Sequence, residues 1–159
     1  MSVVPLQGEL INFGPVLPAI DALLQRGVAA YRSDRSLADR LFREALTLAP
    51  EELPIYLCLY KIHTYQGSLD EALAIAEAGI AEASRQAGWP PDWREWQASQ
   101  GVPEGAERFA LYTLKALAFI RLRRNEPKEA AEALEHLRRL DPAGRVGWPV
   151  IAALADGLE

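Results

Sequence analysis

Few residues in this chain are of a type that does chemistry, and they are far apart. His63 and His136 are the only histidines and Cys58 is the only cysteine. A metal centre needs three or four His, Cys or carboxylate ligands converging at short spacing, and no such set occurs. Cys58 lies in the apolar run Tyr56, Leu57, Leu59, Tyr60. An apolar setting disfavours the thiolate, which is the reactive form, so Cys58 reads as an inert buried thiol. His63 reads as a packed histidine on the inner side of its helix, and His136 as a solvated residue on an outer face. There is no glycine-rich phosphate loop and no strained nucleophile turn. The residues therefore predict no enzyme, no metal and no cofactor.

Aromatic chemistry is more concentrated. Residues 85–108, RQAGWPPDWREWQASQGVPEGAER, hold three of the four tryptophans. Trp89, Trp93 and Trp96 are spaced by four and three, which puts them on one face if a helix reaches back to Trp89. Pro90 and Pro91 can open a short helix, with Asp92 and Glu95 at the positive end of its dipole. Two readings stay open. The tryptophans form an exposed patch for a partner, or they staple the segment onto the preceding helix or across a groove, their buried area offsetting the entropy of ordering. A second concentration is basic: Arg121, Arg123, Arg124, Arg138 and Arg139 could steer an acidic partner, or form a solvated face neutralised by Glu126, Glu135 and Asp141.

The elements that would position these residues repeat. Ala38, Ala45 and Pro50 return 34 residues later as Ala72, Gly79 and Ser84. They return again as Ala130, Leu137 and Pro142 after a further insertion of 24 residues. A period of this length with small residues at fixed offsets marks stacked helix pairs, which bury a shared core and leave one surface free to bind. A first helix is expected from Pro15 or Pro18 to Arg32, a second from Asp34 to before Pro50, and a third from Leu53 to Gln66, stopped by Gly67. Ser68 and Glu71 have the spacing of a capping box for a long helix that reaches Ala87 before Gly88. Helix resumes from Glu104 to Arg124. Asn125 is expected to cap the next one, which ends at Asp141-Pro142. The last helix shows an apolar face of Val150, Ile151, Leu154 and Leu158. Residues 1–14 read as an extended arm, and 15–159 as one domain interrupted by the insertion at 85–108.

Bulk composition agrees. Half of the residues are apolar and a quarter charged, with net charge −5. That balance argues against a nucleic-acid partner, whose binding rests on phosphate neutralisation. No apolar run is long enough to cross a membrane, and the start of the chain lacks a signal peptide's pattern. A single cysteine fits a reducing cytoplasm. Ala and Leu dominate over β-branched residues, which favours helix over strand.

On these positions the chain resembles the tetratricopeptide repeat family. Gly27, Ala118 and Ala152 stand where a unit's first helix needs a small residue. Ala38, Ala72 and Ala130 open the second helix, Gly67 matches the turn glycine, Pro50 and Pro142 the closing proline, and Trp148 the aromatic that begins a unit. The match covers about residues 19–84 and 109–157. The first unit is one residue short in its turn, Tyr60 and Ser84 replace a small residue and a proline, and the insertion is foreign to the repeat. The resemblance implies an all-α fold: a short right-handed solenoid of about three helix pairs with a C-terminal capping helix. The closing stretch and the GWPPDW segment are also similar to small bacterial tetratricopeptide proteins found beside nitrogen-fixation genes, which implies an accessory role near nitrogenase assembly.

The resemblance further implies a concave groove lined by each unit's first helix. Carried over by residue, it consists of Leu24, Val28, Tyr31 and Arg32, then Leu57, Lys61, Thr64 and Tyr65, then Tyr112, Lys115, Phe119, Leu122 and Arg123. Such a surface suits a protein or peptide segment with apolar anchors and acidic groups. The family's grip on a C-terminal carboxylate is not reproduced, because its paired asparagines are missing. The expected function is thus a non-enzymatic interaction module, a scaffold or adaptor. A secretion-chaperone-like client binder is an alternative, and a small-ligand binder or enzyme with a pocket under the insertion is one of another class. Packing of the groove residues against the protein's own segments, and self-association, are left open.

Overall fold

Three of the helices end because the chain turns left-handed. Gly67 (φ 84°) and Gly88 (φ 72°) close two of them, and Asn125 (φ 63°) closes a third. At each, the next two amides turn back onto the last turn: Gly67 and Ser68 N–H donate to the Thr64 and His63 carbonyls, and Asn125 and Glu126 N–H donate to those of Leu122 and Arg121. This arrangement satisfies carbonyls that a helix end otherwise leaves unpaired. A computed structural model describes residues 15–157, so the expected arm at 1–14, and Leu158, lie outside the described residues. Within them are seven α-helices: α1 (Pro18–Tyr31), α2 (Arg35–Leu48), α3 (Leu53–Gln66), α4 (Leu69–Ala87), α5 (Gly105–Arg123), α6 (Pro127–Leu140) and α7 (Trp148–Gly157). One 3-10 turn, Trp93–Glu95, lies between α4 and α5. The described residues contain no strand, so the fold is all-α.

Two expected caps are corrected. Asp34 does cap α2, accepting from the Leu37 amide at 3.0 Å. Ser68 and Glu71, however, make no capping box: no side chain caps α4 at Ser68. The Ser68 hydroxyl accepts from the Gln66 amide at 3.1 Å, and Glu71 is drawn away to Arg43. Asn125 is not the N-cap of α6, a place taken by Glu126. Its tolerance of positive φ makes it the terminator of α5 instead.

Packing runs from each helix to the next, and α4 and α5 pack along one another although the insertion separates them in sequence. The odd-numbered helices also touch in order, α1 to α3, α3 to α5 and α5 to α7. Small residues make these approaches possible. A Cβ on Gly27 would lie 2.4 Å from the Phe42 ring, and one on Gly79 would lie 3.1 Å from Tyr56 Cβ. The repeating positions Ala38, Ala45, Ala72 and Ala130 are all fully buried, so the repetition in sequence corresponds to recurring contact points between helices. Around them Leu24, Phe42, Ile55, Leu59, Leu111, Leu114 and Leu137 fill the core. Each such side chain stabilises the fold by roughly 1.5–3 kcal/mol through burial.

The last helix is rotated relative to expectation. Asp141 is buried, and its carboxylate accepts from the Arg145 and Val146 amides at 3.0 Å each. The Trp148 indole donates to the Asp141 carbonyl at 2.6 Å. This turn sets the entry angle of α7 so that Trp148, Ile151 and Ala152 face inward. Val150 and Leu154 are left exposed, at 65% and 48%.

Candidate functional site

Tyr60 occupies a position where the resemblance implies a small residue, and α5 shows how it fits. It is fully buried, and its hydroxyl lies 3.3 Å from Thr113 Oγ1 on α5. Burial pushes the Tyr60 phenol far up from its ordinary value. Cys58, one residue before Leu59, is buried too, and burial pushes its thiol up to about 12. It is a packed thiol. His63 is buried, with Nε2 2.7 Å from Asp39 Oδ1. The Gln66 amide approaches its Nδ1 at 3.2 Å, so Nε2 carries the proton and donates to Asp39. Arg43 then joins Asp39 to Glu71. This network ties α2, α3 and α4 together and leaves no ligand position at His63. Among the described residues no group of three His, Cys, Asp or Glu is placed to hold a metal, and no helix is long and apolar enough to cross a membrane.

The insertion is folded back on itself. Only one 3-10 turn forms, because Pro90 and Pro91 precede it rather than open it and the chain is extended again at Trp96. Trp89, Trp93 and Trp96 therefore do not share a helical face. Trp96 is 2% exposed, its indole donates to the Pro90 carbonyl at 2.8 Å, and its ring packs at 5.0 Å from that of Trp89. Trp93 turns instead toward α6, edge-on to His136 at 5.1 Å. His136 is thus half-buried beside Trp93 rather than fully solvated, and its Nδ1 donates to the Glu132 carbonyl. Arg94 lies over the Trp93 ring and grips both Glu132 oxygens at 2.8 and 3.1 Å. That contact lowers the Glu132 carboxyl and raises the Arg94 guanidinium from their ordinary values.

The residues carried over to the groove divide. Leu24 is fully buried, and Thr64 is buried with its hydroxyl donating to the Tyr60 carbonyl; both are core residues and line no surface. Val28, Tyr31, Leu57, Tyr112, Phe119 and Leu122 are half-buried against the core, while Arg32, Tyr65 and Arg123 are exposed. On α3, Lys61 lies 6.0 Å from the Tyr65 ring; on α5, Lys115 lies 4.0 Å from the Tyr112 ring and Arg123 5.8 Å from that of Phe119. Arg35 on α2 reaches the Tyr31 ring. Neither Arg35 nor Arg108, which lowers the Tyr112 phenol that burial raises, was among the expected groove residues. Arg108 stands four residues before Tyr112, a helical spacing that could have found it.

Charge pairing separates this face from the rest. Four Lys or Arg side chains are half-buried: Lys61, Lys115, Arg121 and Arg124. Arg121 and Arg124 both reach Glu126 at 2.9 Å and Arg138 lies 3.8 Å from Glu135, so these three members of the basic cluster are paired within the chain. Lys61 and Lys115 have no carboxylate within ion-pair reach among the described residues. Burial, and after it the charge of Lys61, pulls the Lys115 ammonium below its ordinary value. An open cleft of about 470 Å³ lies elsewhere, at the α3–α4 turn, lined by Gly67, Ser68, Leu69, Asp70, Glu71 and Arg124; it is not under the insertion. Comparisons with protein-family models, with curated proteins and with solved structures found no match to this chain.

Proposed function

We propose that this chain is a non-enzymatic interaction module of tetratricopeptide-like build, a short solenoid whose odd-numbered helices present a preformed face to a protein or peptide segment. One observation carries the reading. On α1, α3 and α5, Tyr65 is exposed and Tyr31, Tyr112 and Phe119 are half-buried, each beside a cation with no carboxylate within ion-pair reach among the described residues, whereas in the insertion Trp96 is buried and bonded to Pro90 and the cation over Trp93 is paired with Glu132. Aromatic side chains are frequent anchors of interfaces. The odd-numbered helices touch one another, which keeps such a face in shape before binding and lowers the ordering cost.

The test is capture of partners from a lysate of the source cells by the purified chain, compared with a Tyr31→Ser, Tyr65→Ser variant. Tyr65 is exposed and Tyr31 is half-buried against the core, so circular dichroism and a melting curve check that the variant keeps its helices. The reading expects the captured proteins to be lost with the fold intact. Capture unchanged by the double substitution would move the binding surface off the odd-numbered helices.

A further inference from the structure

α7 sits on the stack as an earlier odd-numbered helix does, yet one of its faces is uncovered. It packs on α5 and α6 as α3 packs on α1 and α2. Aligning Tyr60, Ala118 and Ala152 puts Trp148 in the place of Tyr56 and Ile151 in the place of Leu59, and all four are buried. Val150 and Leu154 then stand where α3 has Cys58 and Ile62, and where α5 has Ala116 and Ile120. Cys58, Ile62 and Ile120 are buried and Ala116 is half-buried. Val150 and Leu154 are exposed. The difference is the helix that follows: α4 packs along α3 and α6 along α5, whereas no described helix follows α7.

The make-up of the open face says what fits it. Val150, Ala153, Leu154 and Gly157 are all exposed and recur at the spacing of one helical stripe. Asp156 is the only charged residue in α7, so the stripe itself carries no charge that would repel a copy of it. Turned antiparallel, the stripe is also its own complement. Val150 then faces Gly157 and Leu154 faces Ala153, large against small, which lets the two backbones approach closely. The same register brings Asp156 level with the first turn of the opposite helix, where the dipole is positive.

We propose that the Val150 and Leu154 face of α7 is the contact surface of a two-fold homodimer. In it, α7 of a second copy lies antiparallel on α7 and takes the place that a following helix holds over α3 and α5. Each copy offers the same stripe, so the contact closes on itself and stops at two chains. The helix has only 10 residues, and an interface of that size holds weakly and reversibly. The contact uses none of Tyr31, Tyr65, Tyr112 and Phe119, so it stands or falls separately from the face proposed to bind a partner.

The experiment is sedimentation equilibrium of the full chain from about 1 μM to about 1 mM, a range that covers weak association. The average mass should rise with concentration from that of one chain toward that of two. Leu154 lies next to the two-fold axis, so Leu154→Glu would set two carboxylates face to face. It should weaken association roughly a hundredfold or more while leaving the melting temperature of the exposed site's parent fold unchanged. A second variant keeps the test decisive if that one fails to fold. Leu154→Cys should cross-link between copies with a short thiol-bridging reagent, whereas Leu48→Cys, exposed on α2, should not; the buried Cys58 does not compete. A parent that keeps the mass of one chain over the whole range overturns the dimer and leaves the α7 face to a helix of another protein. Association undiminished in Leu154→Glu, or cross-linking no greater at position 154 than at position 48, overturns α7 as its surface.

Discussion

The insertion and the odd-numbered face are built from the same kinds of side chain, aromatics with cations over them, yet they use them in opposite ways. Arg94 covers Trp93 and then reaches Glu132, while Trp96 is buried with its indole bonded to Pro90. Lys115 covers Tyr112 and reaches no carboxylate among the described residues. Aromatic and basic composition therefore does not distinguish the staple from the face proposed to bind a partner. What distinguishes them is whether the polar end of each group is already satisfied within the chain, since an unsatisfied half-buried group is the one that gains most from a partner.

The largest expected effect lies in the staple. Trp96→Ala should destabilise the fold by about 3–5 kcal/mol, read from urea unfolding; a loss no larger than a surface substitution gives would break the comparison on that side. Gly27→Ala tests the helix crossings beneath both regions. Its new Cβ would meet Phe42, and a cost of about 1–3 kcal/mol is expected, whereas a neutral outcome would mean that α1 and α2 can separate freely there. Arg94→Ala removes an exposed ion pair and should cost only about 0–1 kcal/mol, so the staple would be shown to rest on the tryptophans.

The smallest effect has the opposite sign. Lys115 has a folded-state value below its ordinary 10.5, so the unfolded chain holds that proton more tightly. Stability owed to this group is therefore reduced at neutral pH and recovers as pH rises from the lowered value to 10.5. Lys115→Met should melt slightly higher than the parent near neutrality, and the gap should close as pH approaches the ordinary lysine value. The raised Cys58 and Tyr60 groups titrate in both proteins, so the difference between the two melting curves isolates Lys115. A variant that melts lower would show that the Tyr112 ring contact or a counter-charge outweighs the cost of burying the Lys115 ammonium.

Much of the helix layout was legible beforehand, because Gly67, Gly88 and the prolines act through backbone geometry that a sequence states locally. Asn125 was misread since asparagine suits both an N-cap and a left-handed terminator, and only the preceding helix decides between them. The capping box at Ser68 failed for a non-local reason: Arg43, 28 residues before Glu71, competes for its carboxylate. The tryptophan spacing assumed a helix that two prolines prevent, and the face of α7 depends on the Asp141 turn. At the candidate site, residue types along α3 and α5 were readable from helical spacing, but Leu24 and Thr64 show that spacing alone does not separate core from surface. Which cations lack a carboxylate could not be read at all, because it depends on pairs far apart in the chain, such as Arg124 with Asp70.

The most direct test uses the protein's own probes. Nuclear magnetic resonance of the labelled chain reports the backbone amides together with the indole signals of its four tryptophans. On titration with a captured partner, signals from Tyr31, Tyr65, Tyr112 and Phe119 should shift while the Trp93 and Trp96 indoles stay in place. Shifted indoles with an unmoved odd-numbered face would contradict the assignment and make the insertion the docking surface.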